Sequence, residues 1–136
     1  MQLLELKILT PEKTIYNDKI KSLSVPGTKG SFQVLLNHAP IISSFEIGII
    51  SVLDKENIKY KFVTSGGIIK VENNKLIILA ETVETPQEID LKRAEEALHI
   101  AKKKLSVLNR EDIDFDRAEI ALKKAINRIR NSRKPI

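Results

Sequence analysis

SVPGTKGSFQVLLNHAP, residues 24–40, decides how the rest of the chain is read. One strand-like run closes on Ser24-Val25 and another spans Phe32 to Leu36, with the turn Pro26-Gly27-x-x-Gly30 between them. Pro26 fixes φ, and Gly27 and Gly30 can supply the positive φ of a tight reversal. Phe32, Val34 and Leu36 recur at period two and so share one strand face. Pro40 ends the ladder, because it has no N–H to donate. Nothing in the stretch calls for catalysis.

The same alternation continues on both sides. Leu4, Leu6 and Ile8 alternate with Glu5 and Lys7, and Ile58, Tyr60 and Phe62 alternate with Lys59 and Lys61. That period marks half-buried strands. Turn signals recur at Thr10-Pro11, Tyr16-Asn17-Asp18, Gly27 to Gly30, Asp54 to Asn57 and Asn73-Asn74. Asn tolerates positive φ, so Asn73-Asn74 suits a two-residue hairpin loop between Ile68-to-Val71 and Leu76-to-Ala80. Thr64-Ser65-Gly66-Gly67 reads as a hairpin bend. Leu76 to Ala80 is apolar on both faces, which fits a strand that is either central or covered by a partner. Many short strands with regular turns point to an antiparallel sandwich or barrel.

After Thr85 the period becomes helical. Thr85-Pro86-Gln87-Glu88 fits a capping box with Pro at the first helical position, and Asp90 is a rival N-cap. An internal repeat follows: Ile89-Asp90-Leu91-Lys92-Arg93-Ala94-Glu95 matches Ile113-Asp114-Phe115-Asp116-Arg117-Ala118-Glu119. A repeat of one helix plus one loop predicts a helical hairpin, with its turn near Val107 to Arg110. Ala94, Ala97 and Ala101 form one stripe and Ala118, Ala121 and Ala125 another, so the helices are expected to meet along alanines. At about 25 cal/mol per Å² such a seam stabilises far less than a leucine one, which makes the hairpin marginal and able to repack.

Composition narrows the function. The 136 residues include no Cys, which excludes disulfides and thiolate metal sites. The start, MQLLELKILTPEK, is neither a secretory signal nor an Arg-rich transit peptide. No apolar run approaches the roughly 20 residues of a membrane span, so a soluble chain without direct membrane insertion is expected. The net charge of +5 is uneven: residues 1–89 hold ten basic and ten acidic side chains, residues 90–136 thirteen and eight. There is no phosphate loop of the Gly-x-x-x-x-Gly-Lys-Ser/Thr type. His38 and His99 lie on different modules without a ligand cluster, so no metal is expected. No Gly-x-Ser-x-Gly elbow exposes a nucleophile, which leaves a small hydrolase little support. From Arg117 onward Lys123, Lys124, Arg128, Arg130, Arg133 and Lys134 face a single acid, Glu119. That helix is a solvated face or, as an alternative function, a nucleic-acid-binding element, although no aromatic follows Phe115 to stack on bases.

The turn-and-stop of residues 24–40 resembles the signature of the epsilon subunit of bacterial-type rotary ATP synthases, a Val-x-Gly-x-x-Gly turn leading into Asn/Gly-His-x-Pro. The likeness continues through Thr64-Ser65-Gly66-Gly67, Leu76 to Ala80 and Ile89-Asp90-x-x-Arg93-Ala94, across essentially the full chain. The resemblance implies an α+β fold: an N-terminal antiparallel β-sandwich over residues 1–86, a two-helix antiparallel hairpin over residues 88–132, and a basic tail at residues 133–136. It implies a non-catalytic rotor subunit, an accessory chain with no active site, at the cytoplasmic face of the cell membrane. Its sandwich would tie the central shaft subunit, gamma, to the membrane rotor ring. Its hairpin would restrain ATP hydrolysis through transient contact with the alpha and beta subunits. No nucleic acid is implied.

Residue by residue, the resemblance places gamma contact at His38, Ala39 and Pro40. Without it, His38 is a loop histidine bonded to nearby backbone. The resemblance also places regulatory ATP at Ile89, Asp90, Arg93, Ala94 and Arg128, and the inhibitory basic helix at Lys123, Lys124, Arg128 and Arg130. Family members that bind ATP well carry further arginines where this chain has Ile100 and Lys124. Lys is not a geometric substitute for Arg on phosphate, so ATP binding is expected to be weak or absent. Read without the resemblance, Asp90-x-x-Arg93 complements a helix N-terminus. Some members place an acid at the position of Ser31 to face the ring, and that contact does not carry over.

Overall fold

A computed structural model describes residues 2–86, 91–108 and 113–131. It divides into two units, residues 1–84 and 85–136.

The first unit contains nine strands: β1 (Leu4–Leu9), β2 (Thr14–Val25), β3 (Phe32–Val34), β4 (Ile41–Phe45), β5 (Gly48–Asp54), β6 (Lys59–Thr64), β7 (Gly67–Glu72), β8 (Lys75–Ala80) and β9 (Val83–Glu84). Their order is β4-β7-β8-β1-β2-β5-β6-β9, with β3 also pairing β2. β2 joins the layers of the sandwich. Its first half pairs β1 from Thr14 to Ile20, and its second half pairs β5 and β3, with a register shift between Ile20 and Ser22. The far edge returns at the turn after β2, where Gly27 bridges Phe45 and the Glu46 N–H donates to the Pro26 carbonyl at 2.7 Å. The folded sheet encloses one core, with Leu4, Leu6, Ile8, Ile20, Leu23, Ile50, Ile69, Leu76 and Ile78 all but inaccessible.

Three sequence expectations change. Tyr16-Asn17-Asp18 is no turn: β2 runs straight through it, opposite Ile8, Lys7 and Leu6. Ladder pairing with β1 outweighs the weak turn preference of Asn and Asp. Thr64-Ser65-Gly66-Gly67 is no hairpin bend either, because β6 pairs β5 and β9 while β7 pairs β4 and β8, so this segment crosses between layers. The pairings are antiparallel except that of β1 with β8, which is parallel. Asn73-Asn74 forms the expected hairpin loop, with φ of 50° and 61° between paired Glu72 and Lys75. In the turn after β2 only Gly30 has positive φ, 116°. Gly27 serves by size, since a Cβ there would lie 2.6 Å from the Gly30 carbonyl and 2.8 Å from the Phe32 ring.

The second unit contains α1 (Leu91–Val107) and α2 (Ile113–Asn131), packed on each other. Running parallel would require the connection to retrace about 25 Å of α1, beyond the roughly 20 Å its five residues can span. The helices are therefore antiparallel. Ala94, Ala101, Ala118 and Ala125 are buried. Ala97 is only half-buried and Ala121 is exposed, so the expected three-alanine stripes are corrected. Among the described residues the remaining seam positions within the two helices belong to half-buried Leu98 and Leu105 on α1 and Phe115, Leu122 and Ile129 on α2. They alternate with the alanines at heptad spacing, large beside small. The proposed caps at residues 87–90 lie outside the described residues.

Candidate functional site

Strand period two gives β8 two faces with different fates. Leu76, Ile78 and Ala80 point into the core, whereas Ile77 and Leu79 point outward, 40% and 51% exposed. On neighbouring β7, Ile68 lies opposite Leu79 and is 50% exposed. On edge strand β4, Ile42 lies opposite Lys70, which in turn lies opposite Ile77, and Ile42 is 72% exposed. Opposed residues share a face and diagonal neighbours remain within reach. Ile68, Ile77 and Leu79 therefore adjoin on one outward face, and Ile42 joins them diagonally through Ile68, with Lys70 standing between Ile42 and Ile77 and pairing with Glu72 at 3.6 Å. Contiguous apolar surface of this kind marks an interaction site.

Pro40 leads directly into that surface through Ile41 and Ile42. The preceding loop is held locally: the His38 N–H donates to the Leu35 carbonyl at 3.2 Å, and His38 Nδ1 lies 2.7 Å from the Ala39 carbonyl oxygen. A carbonyl only accepts, so Nδ1 carries the proton in this contact. Ala39 and Pro40 are exposed, and Leu35 is exposed beside them. His38, Ala39 and Pro40 thus adjoin the apolar face, and the His38 ring is fastened to its own loop. Sequence reasoning did not single out Ile42, Ile68, Ile77 or Leu79 as site residues. The signal that could have done so was the two-faced apolarity of Leu76 to Ala80.

The opposite layer presents a different surface. Serines 22, 24 and 51 alternate there with exposed Lys59 and Lys61. At its inner margin Tyr16 packs against Tyr60 and Phe62, with ring centroids 6.2 and 5.9 Å apart. Burial, then the charges of Asp18 and Asp54, push the Tyr16 phenol up to about 12. Asp54 Oδ1 accepts from the Glu56 and Ile58 N–H groups, both at 2.8 Å, and so builds the β5–β6 turn. The Lys19 N–H, then Lys55 at 3.4 Å, hold the exposed Asp18 carboxyl below its usual range. These groups shape turns and margins.

On the helical unit, Arg93 is exposed in the first turn of α1, while its neighbour Ala94 is turned into the seam. Arg128 is half-buried near the end of α2, and the antiparallel arrangement brings it to the same end of the hairpin as Arg93. Ala94 is therefore a packing residue rather than part of an open ligand surface. Ile89 and Asp90 lie outside the described residues. Lys123 and Arg130 are exposed and Lys124 is half-buried. Phe115, the one aromatic after residue 62, shares the heptad phase of Ala118 and Leu122 and presents no stacking platform. Among the described residues no group of three or more His, Asp or Glu is arranged to hold a metal, and no helix is long and apolar enough to cross a membrane.

Comparison with known proteins matches residues 3–86 to the beta-sandwich domain of the ATP synthase delta/epsilon chain, and residues 87–132 to its long alpha-helix domain. The ATP synthase epsilon chain of Syntrophomonas wolfei is 38% identical over 131 residues, covering 96% of this chain and 95% of that protein. That of Desulfitobacterium hafniense (strain Y51) is 41% identical over 128 residues, covering 94% and 95%. Among solved structures, a chain in the OSCP/F1/c-ring of the Euglena gracilis mitochondrial ATP synthase shares the fold with a TM-score of 0.80 at 21% identity, covering 92% of this chain and 78% of that one.

Proposed function

Because this chain belongs to the ATP synthase delta/epsilon family, whose epsilon members are central-stalk subunits, we propose that it couples rotation of the membrane ring to the catalytic head and restrains ATP hydrolysis. It does so as an accessory subunit without chemistry of its own, held peripherally at the cytoplasmic face of the membrane by its partners. The observation that carries the coupling role is the outward apolar surface of Ile42, Ile68, Ile77 and Leu79, continued by Ala39 and Pro40. A subunit that transmits torque needs a stiff, dehydrated contact with the shaft. A fully ordered sheet offers one, since its side chains lose little further freedom on docking. Gamma is the partner assigned to this surface, and the membrane ring is the second partner of the sandwich.

The restraining role falls to the hairpin. Lys123, Lys124, Arg128 and Arg130 supply positive charge for transient contact with acidic segments of the alpha and beta subunits. Regulatory ATP, if bound near Arg93 and Arg128, binds weakly, because Lys124 offers a point charge instead of a guanidinium fork.

The test is ATP hydrolysis by a catalytic head containing gamma, with added full chain, with chain stopped after Glu88, or with full-length Ile77→Asp. Inhibition by the full chain alone, with the shortened chain still bound, supports both roles. Binding of both forms without inhibition removes the restraining role. Undiminished binding of Ile77→Asp removes the assigned docking surface.

A further inference from the structure

The loop that carries His38, Ala39 and Pro40 is anchored at its start by Leu36, which packs against the core, and beyond Leu36 it is hydrogen-bonded to the sheet through Asn37. The Asn37 N–H donates to Asn74 Oδ1 at 2.6 Å, and Asn74 Nδ2 donates to Asn37 Oδ1 at 3.2 Å. Among the described residues these are the long-range hydrogen bonds of residues 35–40. Asn74 also offers its carbonyl to the Glu5 N–H at 2.9 Å. One residue therefore joins the β7–β8 loop, the start of β1 and the loop before β4.

Both asparagines occupy left-handed backbone, with φ of 64° and 61°. Glycine would satisfy that conformation with no Cβ penalty. What Asn adds at position 74 is an amide that reaches the other loop. The paired amides are exposed, so water competes with them and their contribution to global stability is small. Their consequence is geometric. β7 and β8 carry Ile68, Ile77 and Leu79, and the clasp at their shared loop sets where Ala39 and Pro40 stand relative to those side chains. Asn37, His38, Pro40, Asn73 and Asn74 line a shallow depression of about 340 Å³ at the junction.

We propose that Asn74 is a positioning residue for docking on gamma: its amide clasps Asn37 and holds the His38–Pro40 loop in register with the apolar face of β4, β7 and β8. This rests on the docking role assigned above to that face. Loosening the clasp lets the loop sample other positions, and ordering it on binding then opposes association.

The full chain is titrated onto a gamma-containing head depleted of this subunit, as wild type, Asn74→Gly, Asn74→Asp and Ile77→Asp. Asn74→Gly preserves the positive φ and removes the amide. It is expected to weaken binding roughly three- to tenfold, the range of one or two hydrogen bonds. Amide exchange at residues 37–39 should rise, while the thermal midpoint of the sandwich hardly moves. Asn74→Asp keeps the acceptor for the Asn37 N–H, and a rotated Asn37 amide can donate to its second oxygen, so it should retain most of the affinity. Faster exchange at residues 37–39 with unchanged binding of Asn74→Gly overturns the proposal, as does an equal loss for Asp and Gly. If Ile77→Asp binds normally, the docking role itself fails and the clasp's role goes with it. Normal binding of Asn74→Gly beside weakened Ile77→Asp fails the clasp alone.

Discussion

The sandwich and the hairpin bury different things. In the sandwich, whole Leu, Ile, Val and Phe side chains disappear into one core to which every strand contributes. In the hairpin, among the described residues, the fully enclosed side chains are four alanines, and the larger apolar groups of the seam stay half-exposed. A leucine or isoleucine buried to completion contributes about 1.5–3 kcal/mol, and a methyl group much less. One short chain can in this way hold a stiff docking body and a part that exchanges packings at small cost. Stability is local, and the element drawn on for movement comes from its low end.

The contrast is most severely tested in the sandwich. Ile78 is wholly inaccessible on a strand paired on both sides. Ile78→Ala should cost about 2–5 kcal/mol, read as an earlier denaturant midpoint of tyrosine fluorescence. Both tyrosines, Tyr16 and Tyr60, lie in the sandwich and there is no Trp, so this signal reports that unit alone. A loss below ~1 kcal/mol would mean the core is loosely packed.

A smaller effect separates the two alanine positions of α2. Ala125→Leu forces a large side chain into the close seam and should destabilise the hairpin by about 1–3 kcal/mol, while Ala121→Leu at an exposed position should change it by less than about 0.5 kcal/mol. Helical circular dichroism on heating follows both, and tyrosine emission should stay unchanged. Equal effects at the two positions would return the seam to the simple alanine stripe.

The last effect is electrostatic and shows only at high pH. Tyr16 in the native sandwich ionises at about 12 against an ordinary value of 10.0, with burial as the first cause. Its raised native value means the stabilising contribution is complete below pH 10 and is lost as pH climbs through 12. Phenolate absorbance of a Tyr60→Phe variant, which removes the least of the causes and keeps burial and the two carboxylates, should show one ionisation still well above the ordinary 10.0. Ionisation near 10 in the folded protein would show that the ring margin is open to water.

Local chemistry made much of this legible in advance. Alternation at Leu4, Leu6 and Ile8, the Asn73-Asn74 loop, and the change of period after Thr85 each express the conformational preference of a few adjacent residues. The sequence alone therefore determined the partition into a strand-rich part and a repeated helical part, and the residues 24–40 carried the resemblance to a family. What it left open depends on partners distant along the chain. Tyr16-Asn17-Asp18 becomes strand because β1 lies beside it. Thr64 to Gly67 crosses layers because β7 finds β4 and β8. Ala121 turns outward because the helix phase is set by Leu122 and Ala125 against α1. Ile77 and Leu79 stay open because none of the described residues covers that side of β8, and Asn74 meets Asn37 across 37 positions of sequence. Backbone preference is decided over neighbouring residues. Which face is buried, and which amide meets which, is decided only when strands far apart in sequence share one core and exclude water from it.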